Sequence, residues 1–541
     1  MSMILGFVPS AGMPARLAIK PEPFRQMLGY RQLRPYLQNN VPRRCLATQR
    51  KAVADDHPFA YTLLTKSPEA ITPDDVLSSL PPIAPSLAES RNVPVLLLTS
   101  AFAQWADTTN LFLEQCINRL YSNTVTRDST EPVHAIVAIV DKLPSIHSVE
   151  DNTGSVAAES EGLSLLLVST ENIEGKVVVP RRIRSSETEE AALVFSFPTD
   201  VSHKSDNAIP RRAVHEVGLR LANTLFVNGN ENTLFGIRWS YNPSSSNFSF
   251  DRSIELSRCR VTCLANSIRN SLKLPLHPVG QRREVISSMG NILRQLAKHP
   301  NGRSKDPMPA SSELENELPR YIEEHNIVDR KVSVWALVES LSHSSHSEMN
   351  GSQNRPAKII QAGGTLHRVM SGGGGWGKKQ GLLSLDYESS FLGPDNDDGL
   401  SALDSLFSPV GTSPVSPAPP SFDKTIVENL SSLSQVASAG DYIQFYVSIE
   451  PDHVQKYQLD APEGAISYHF GVVPETEMFM DHTGNGELQK DLRGVPNYFG
   501  ALSEKAMTYS QPLILARSDG EILESGTKLD IPGSRVELVA T

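Results

Sequence analysis

Val93-Pro94-Val95-Leu96-Leu97-Leu98 and Val133-His134-Ala135-Ile136-Val137-Ala138-Ile139-Val140 decide how this chain folds. A short, nearly continuous apolar run reads as a strand buried on both faces. Between the two runs, Phe102, Trp105, Thr109, Phe112, Cys116 and Leu120 recur every three or four residues. That spacing predicts one apolar face of a helix. Strand, helix and strand in this order predict a βαβ unit.

Working outward, residues 163–168, 176–179, 192–197 and 234–239 are further strand candidates, and Val214, Val217, Leu221 and Leu225 predict a second helix. Residues 285–296 read as a helix with Ile286, Met289, Ile292, Leu293 and Leu296 inward. The segment 312–341 is acidic (Glu313, Glu315, Glu317, Glu323, Glu324) and reads as helical, including 332–341. Residues 342–357, rich in Ser, His, Asn and Gly, read as a linker. Beyond it the pattern is β again, at 442–449, 465–472, 513–516 and 536–539. The expected fold class is mixed α/β (α+β): an N-terminal α/β domain at 93–341 and a β-rich C-terminal domain at 358–541. An insert at 393–422, with DNDDG and SPVGTSPVSPAPPS, has too little apolar surface to order itself. Residues 47–92, weakly periodic and increasingly rich in Pro and Ser, read as an extended lead-in.

The chain has 541 residues and a mass of 59.2 kDa. With 39% hydrophobic and 21% charged residues it is neither collagen-like, nor a coiled coil, nor a disulfide scaffold. Four cysteines, Cys45, Cys116, Cys259 and Cys263, make no disulfide framework. Cys259 and Cys263 lack further ligands at metal-site spacing and read as structural thiols, so no metal is expected. No cofactor is expected either.

Charge is unevenly placed. Residues 1–51 hold nine basic residues and one acid, Glu22, in a chain whose net charge is −11. Phe24, Met27, Leu28, Leu33 and Leu37 are interleaved there with Arg25, Arg31 and Arg34. A cationic, amphipathic, acid-poor leader is the pattern of a mitochondrial presequence. Arg44-Cys45-Leu46-Ala47 resembles a processing site, which bounds the presequence at 1–46. No apolar run is long enough for a transmembrane helix. The expected location is the matrix or the matrix face of the inner membrane.

The second basic block, 251–305, holds eleven basic residues and three acids. Arg258, Arg260, Arg269, Arg282, Arg283 and Arg294 are candidates for an RNA or partner surface. The competing reading is that the block is neutralised by the acidic segment that follows it. It lacks interleaved exposed aromatics of the kind that stack on single strands.

The least ordinary motif is Arg368-Val-Met-Ser-Gly-Gly-Gly-Gly-Trp-Gly-Lys-Lys-Gln-Gly-Leu-Leu-Ser-Leu-Asp386. Its Gly-rich loop, 371–379, contains Gly372, Gly373, Gly374, Gly375, Trp376, Gly377, Lys378 and Lys379. Gly372-x-x-x-x-Gly377-Lys378 begins like a phosphate-binding P-loop, but Lys379 stands where the magnesium-binding Ser or Thr belongs. Gln380-Gly381 then interrupts the helix that should follow, and Leu382, Leu383 and Leu385 suggest a strand or turn. Two readings remain. The loop is an anion-binding nest, with glycine N–H groups, two lysines and a stacking Trp376. Or it is structural, a close-packed junction with Trp376 as plug. The block resembles one in an uncharacterised family of fungal mitochondrial proteins, a likeness that covers this motif and the leader and supplies no catalytic residues.

Other constellations are incomplete. His215-Glu216 lacks a second histidine, because Leu219 stands there. His343 and His346 sit in the Ser-rich linker, and the Asp481–Gly486 turn lacks the calcium loop's closing acid at Leu492. The sequence therefore reads as a non-enzymatic binding or assembly factor imported into mitochondria. Its partner is a protein complex, with RNA as a second candidate and the mitochondrial gene-expression machinery as the setting. The alternative is an enzyme or ligand-binding protein that holds a phosphorylated or carboxylated small molecule at the Gly-rich loop.

Overall fold

Both apolar runs are strands, Asn92–Thr99 and Val133–Val140, and they pair in parallel from Val95 opposite Ile136 to Thr99 opposite Val140. The computed structural model describes residues 59–84, 92–107, 110–123, 131–145, 159–178, 190–201, 211–300, 305–327, 332–340, 355–372, 381–392, 399–408, 435–448, 461–474, 490–514 and 522–541. These belong to one compact unit, Ala54–Thr541. The parallel pair is joined by two helices, the 3-10 helix Ser100–Ala106 and the α-helix Phe112–Leu120. The expected single helix is divided because the Asn110 side chain accepts the Phe112 N–H at 3.1 Å, which gives the second helix its own start. Phe112, Leu113, Cys116, Ile117 and Leu120 then pack on the strand pair. Each fully buried apolar side chain contributes roughly 1.5–3 kcal/mol.

Strands make up 52% and helices 18% of the described residues, so the mixed composition is β-dominated. The largest sheet runs Arg493–Pro496, Ala60–Thr65, Glu161–Ser169, Asn92–Thr99, Val133–Val140, Leu234–Asn242, Asn247–Thr262, Ala192–Val201, Arg211–Arg220, Met507–Ile514 and Ile522–Leu529. A second sheet runs Ile268–Lys273, Arg535–Ala540, Ile466–Val472 and Tyr498–Ser503.

The third sheet closes on itself. Leu276–Met289, Tyr442–Ser448, Val334–Glu339, Thr365–Gly372, Leu383–Leu385 and Ile292–Ala297 form a ring of antiparallel neighbours, and Ile292–Ala297 returns to Leu276–Met289. This is a six-stranded barrel. Alternate residues face its interior: Val334, Ala336 and Val338 join Ile443, Phe445, Val285, Leu293 and Leu296 in one core. The intervening Trp335 and Leu337, with Leu366 and Tyr446, pack into the core of the main sheet instead. The helix Ser312–Glu324 adds Leu314 and Tyr321 to the barrel core.

Several expectations change. Residues 285–296 are a hairpin, turned at Gly290 (φ +59°) and Asn291. Val285, Leu293 and Leu296 are inward and Met289 is exposed. Residues 334–339 are strand, because both faces of that run are buried. The helix expected from Val214 to Leu225 is the strand Arg211–Arg220, laddered on both sides, followed by a single turn at Leu225–Asn228. The lead-in holds a paired strand, Ala60–Thr65, and a helix, Pro73–Ser79, started by a Thr72–Asp75 capping box. Part of the 393–422 insert is ordered: Leu403 and Phe407 are buried in the main core. Strands from 93–341 and from 358–541 pair in all three sheets, so 342–357 does not divide the sheets into two domains. The leader 1–46 and the linker's His343 and His346 lie outside the described residues, as does the Asp481–Gly486 turn.

Candidate functional site

The barrel helix sits where two oppositely charged segments meet. Arg283 and Glu313 pair at 2.6 Å, and Glu313 also accepts the Gln281 N–H at 2.8 Å. Arg282 pairs with Glu339 at 2.8 Å and lies 3.6 Å over the Tyr442 ring. Lys305 pairs with Glu284 at 3.0 Å and Arg260 with Glu174 at 3.3 Å. Of the six candidate arginines, Arg260, Arg282 and Arg283 are thus engaged with carboxylates. Arg258 is half-buried, and Arg269 and Arg294 are exposed. The six are spread over the three sheets. This arrangement favours the reading in which basic and acidic segments neutralise each other.

The Gly-rich motif places differently. Gly372 ends the strand Thr365–Gly372 and pairs with Leu383, so the motif joins two antiparallel barrel strands. A strand follows, where a P-loop needs a helix N-terminus. Gly372 is held close: a Cβ there would lie 2.8 Å from the Leu382 carbonyl oxygen. Residues 373–380, with Gly373, Gly374, Gly375, Trp376, Gly377, Lys378 and Lys379, lie outside the described residues.

Beside that hairpin is a cavity of about 1020 Å³. Its geometry follows from a parting of strands. Val334–Glu339 and Thr365–Gly372 are laddered from Val338 opposite Thr365 to Trp335 opposite Arg368. The ladder stops there, while the second strand continues to Gly372 against Leu383–Leu385. Residues 332–334 and 368–372 form the two diverging walls.

The third wall is one face of the helix. Glu315, Leu318, Pro319, Ile322, Glu323 and Asn326 all line the cavity, and their spacing is that of a single helical stripe. The helix is pinned on its other side by Glu313, and the Tyr321 ring stacks on His325 at 4.0 Å and meets His277 at 5.2 Å. Asn326, at φ +51°, takes the left-handed turn that ends it. Pinning one face leaves the other free to line a groove: Leu318 and Ile322 are half-buried, and Glu315 and Glu323 are exposed.

Among the described residues that line the groove the one cation, Arg368, is neutralised. Arg368 donates to Asp530 at 3.3 Å and to Ser333 at 2.8 Å. Asp530 also accepts the Trp335 indole N–H at 2.6 Å. The chemistry presented is therefore an apolar floor with two carboxylates, Glu315 and Glu323, on one wall. The sequence led to an acidic helix here and not to its apolar stripe, although Leu314, Leu318 and Ile322 at helical spacing were the available signal; its opposition to residues 332–334 and 368–372 depends on barrel closure. Among the described residues no group of histidine, cysteine and carboxylate side chains has the geometry of a metal site, and no helix is long and apolar enough to cross a membrane.

No protein-family model, no curated protein and no solved structure matches the chain.

Proposed function

We propose that this chain is a non-enzymatic binding or assembly factor, imported into mitochondria, that holds a partner polypeptide in the barrel groove. The observation that carries the reading is the groove itself: a large apolar concavity between parting strands and a pinned helix. The cationic leader supports import and a place in the matrix or on the matrix face of the inner membrane. The carboxylates beside the apolar floor suit partners rich in Lys and Arg, a character common among proteins that handle RNA, so the gene-expression machinery remains the proposed setting. The motif's likeness to fungal mitochondrial proteins points to the same compartment.

The test is affinity purification from isolated mitochondria at low and moderate salt, reading both protein and RNA. The expected result is a protein complex that survives moderate salt and is lost from Ile322→Asp. Recovery of salt-labile RNA without a protein complex, or an identical protein set with Ile322→Asp, overturns the reading.

A further inference from the structure

We propose that the groove takes its partner as an extended strand carrying alternating apolar and basic residues, paired to the free edge of Thr365–Gly372. This rests on the binding function proposed for the groove and specifies the ligand's chemistry. Three observations carry it.

The first is the edge. Among the described residues, the strand Thr365–Gly372 keeps a neighbour on one side only beyond Arg368. Among the described residues no strand pairs with its other side from Val369 to Gly372, and this stretch lines the groove. Unpaired backbone N–H and C=O groups facing a concavity are a template for strand addition. Met370 sits at an irregularity in the ladder to Leu383–Leu385, and its side chain is 62% exposed.

The second is the floor. Leu314, Leu318, Ile322 and Val334 line the space opposite that edge. A strand added there turns alternate side chains toward these residues and the others away. The occupant therefore needs apolar residues at every second position.

The third is charge. Glu315 and Glu323 lie on the helix wall, while Arg368 is engaged by Asp530. Among the described lining residues Glu315, which accepts the Ser311 hydroxyl at 2.7 Å, and Glu323 are the exposed carboxylates, so basic residues on the occupant meet attraction and acidic ones repulsion.

The probe is a short, acetylated, fluorescent peptide of alternating valine and lysine, titrated into the full chain and read by anisotropy. In such a strand all valine N–H groups lie on one edge and all lysine N–H groups on the other. The expected result is saturable binding that falls roughly tenfold when one of these sets is N-methylated and little when the other is. Glu323→Lys, a change at an exposed position, is expected to weaken binding several-fold and flatten its salt dependence. Equal binding by both methylated peptides, by a helix-forming leucine–lysine peptide, or by a valine–glutamate peptide overturns the proposal. So does absence of binding. If binding is absent while the purified complex still depends on Ile322, only the extended, basic occupant is lost and the groove's function stands.

Discussion

Arg283 and Glu313 form an ion pair at 2.6 Å with both side chains nearly sealed from solvent, 12% and 5% exposed. The pair ties the bulged Leu276–Met289 strand to the helix that walls the groove. Arg283 also donates to the carbonyls of Ala297 at 3.3 Å and Lys298 at 2.5 Å. Removing one partner strands a buried charge, which costs about 3–5 kcal/mol. Glu313→Ala is therefore expected to lower the urea midpoint strongly, and Glu313→Gln less, because the amide oxygen still accepts the Gln281 N–H. An unchanged midpoint for Glu313→Ala means the helix is not held this way.

Gly280 separates two costs of a side chain on the same strand. Its φ is +75°, and a Cβ would lie 2.9 Å from Glu313 Cγ. Gly229 has nearly the same φ, +76°, with nothing within 4 Å. Gly229→Ala carries only the left-handed backbone penalty, about 1–2 kcal/mol. Gly280→Ala carries that penalty and also displaces Glu313 from Arg283. The expected order in chemical denaturation is wild type, then Gly229→Ala, then Gly280→Ala; equal losses refute the steric part.

Much of the fold was legible where burial is two-sided. The runs at 93–98, 133–140 and 192–197 are apolar on every face, and no helix stripe competes with that pattern. The hairpin at 285–296 was misread because Ile286, Met289, Ile292 and Leu296 fall at helical spacing by coincidence of two half-buried strands. Gly290-Asn291 was the available turn signal. Residues 334–339 misled for a different reason: Trp335 and Ala336 are buried against different cores, so no period of two appears. Of the groove, only the presence of an acidic helix was read. Arg368 meets Trp335 across one barrel ladder and Asp530 from just beyond the main-sheet strand Ile522–Leu529, and sequence spacing carries no trace of that convergence.

The thiols give a chemical test of the core. Cys116 is fully buried under the βαβ helix, and Cys259 and Cys263 are buried in the main core. Burial pushes the thiols of Cys259 and Cys263 up to about 12, helped at Cys259 by Glu174 and opposed at Cys263 by a hydrogen bond with Tyr468. Burial raises Cys116 as well. Since the thiolate is the reactive form, iodoacetamide at pH 8 is expected to leave all three unmodified in the folded chain and to alkylate them in guanidinium, read by peptide mass spectrometry. Alkylation of Cys116 in the native protein means the helix does not cover the strand pair.

Acid should destabilise the fold through two histidines. Burial lowers His215 to about 4. Burial, then the charges of Lys273 and Arg535, lowers His469 to about 3. Glu537, at 4.0 Å, and the Tyr498 ring, at 4.6 Å, also face His469. Both histidines are depressed below the unfolded value of about 6.5. The folded state therefore refuses protons that the unfolded state accepts. Stability present above pH 6.5 is lost as pH falls toward 4 and then 3, at roughly 1.4 kcal/mol per pH unit for each group. Asp141 has the opposite sign. Burial raises it to about 6, although the Glu504 N–H it accepts at 2.7 Å opposes the shift. Its contribution is full below pH 4 and is lost as pH rises through 6. Between pH 6 and 4 it offsets one histidine, while burial also lowers His134, His277 and His367, which add to the acid loss. Melting temperature is expected to fall from pH 7 to 4. His469→Gln should flatten that fall, and Asp141→Asn should raise stability at pH 7 while leaving pH 4 little changed. An acid limb that survives both His215→Gln and His469→Gln places the titration elsewhere.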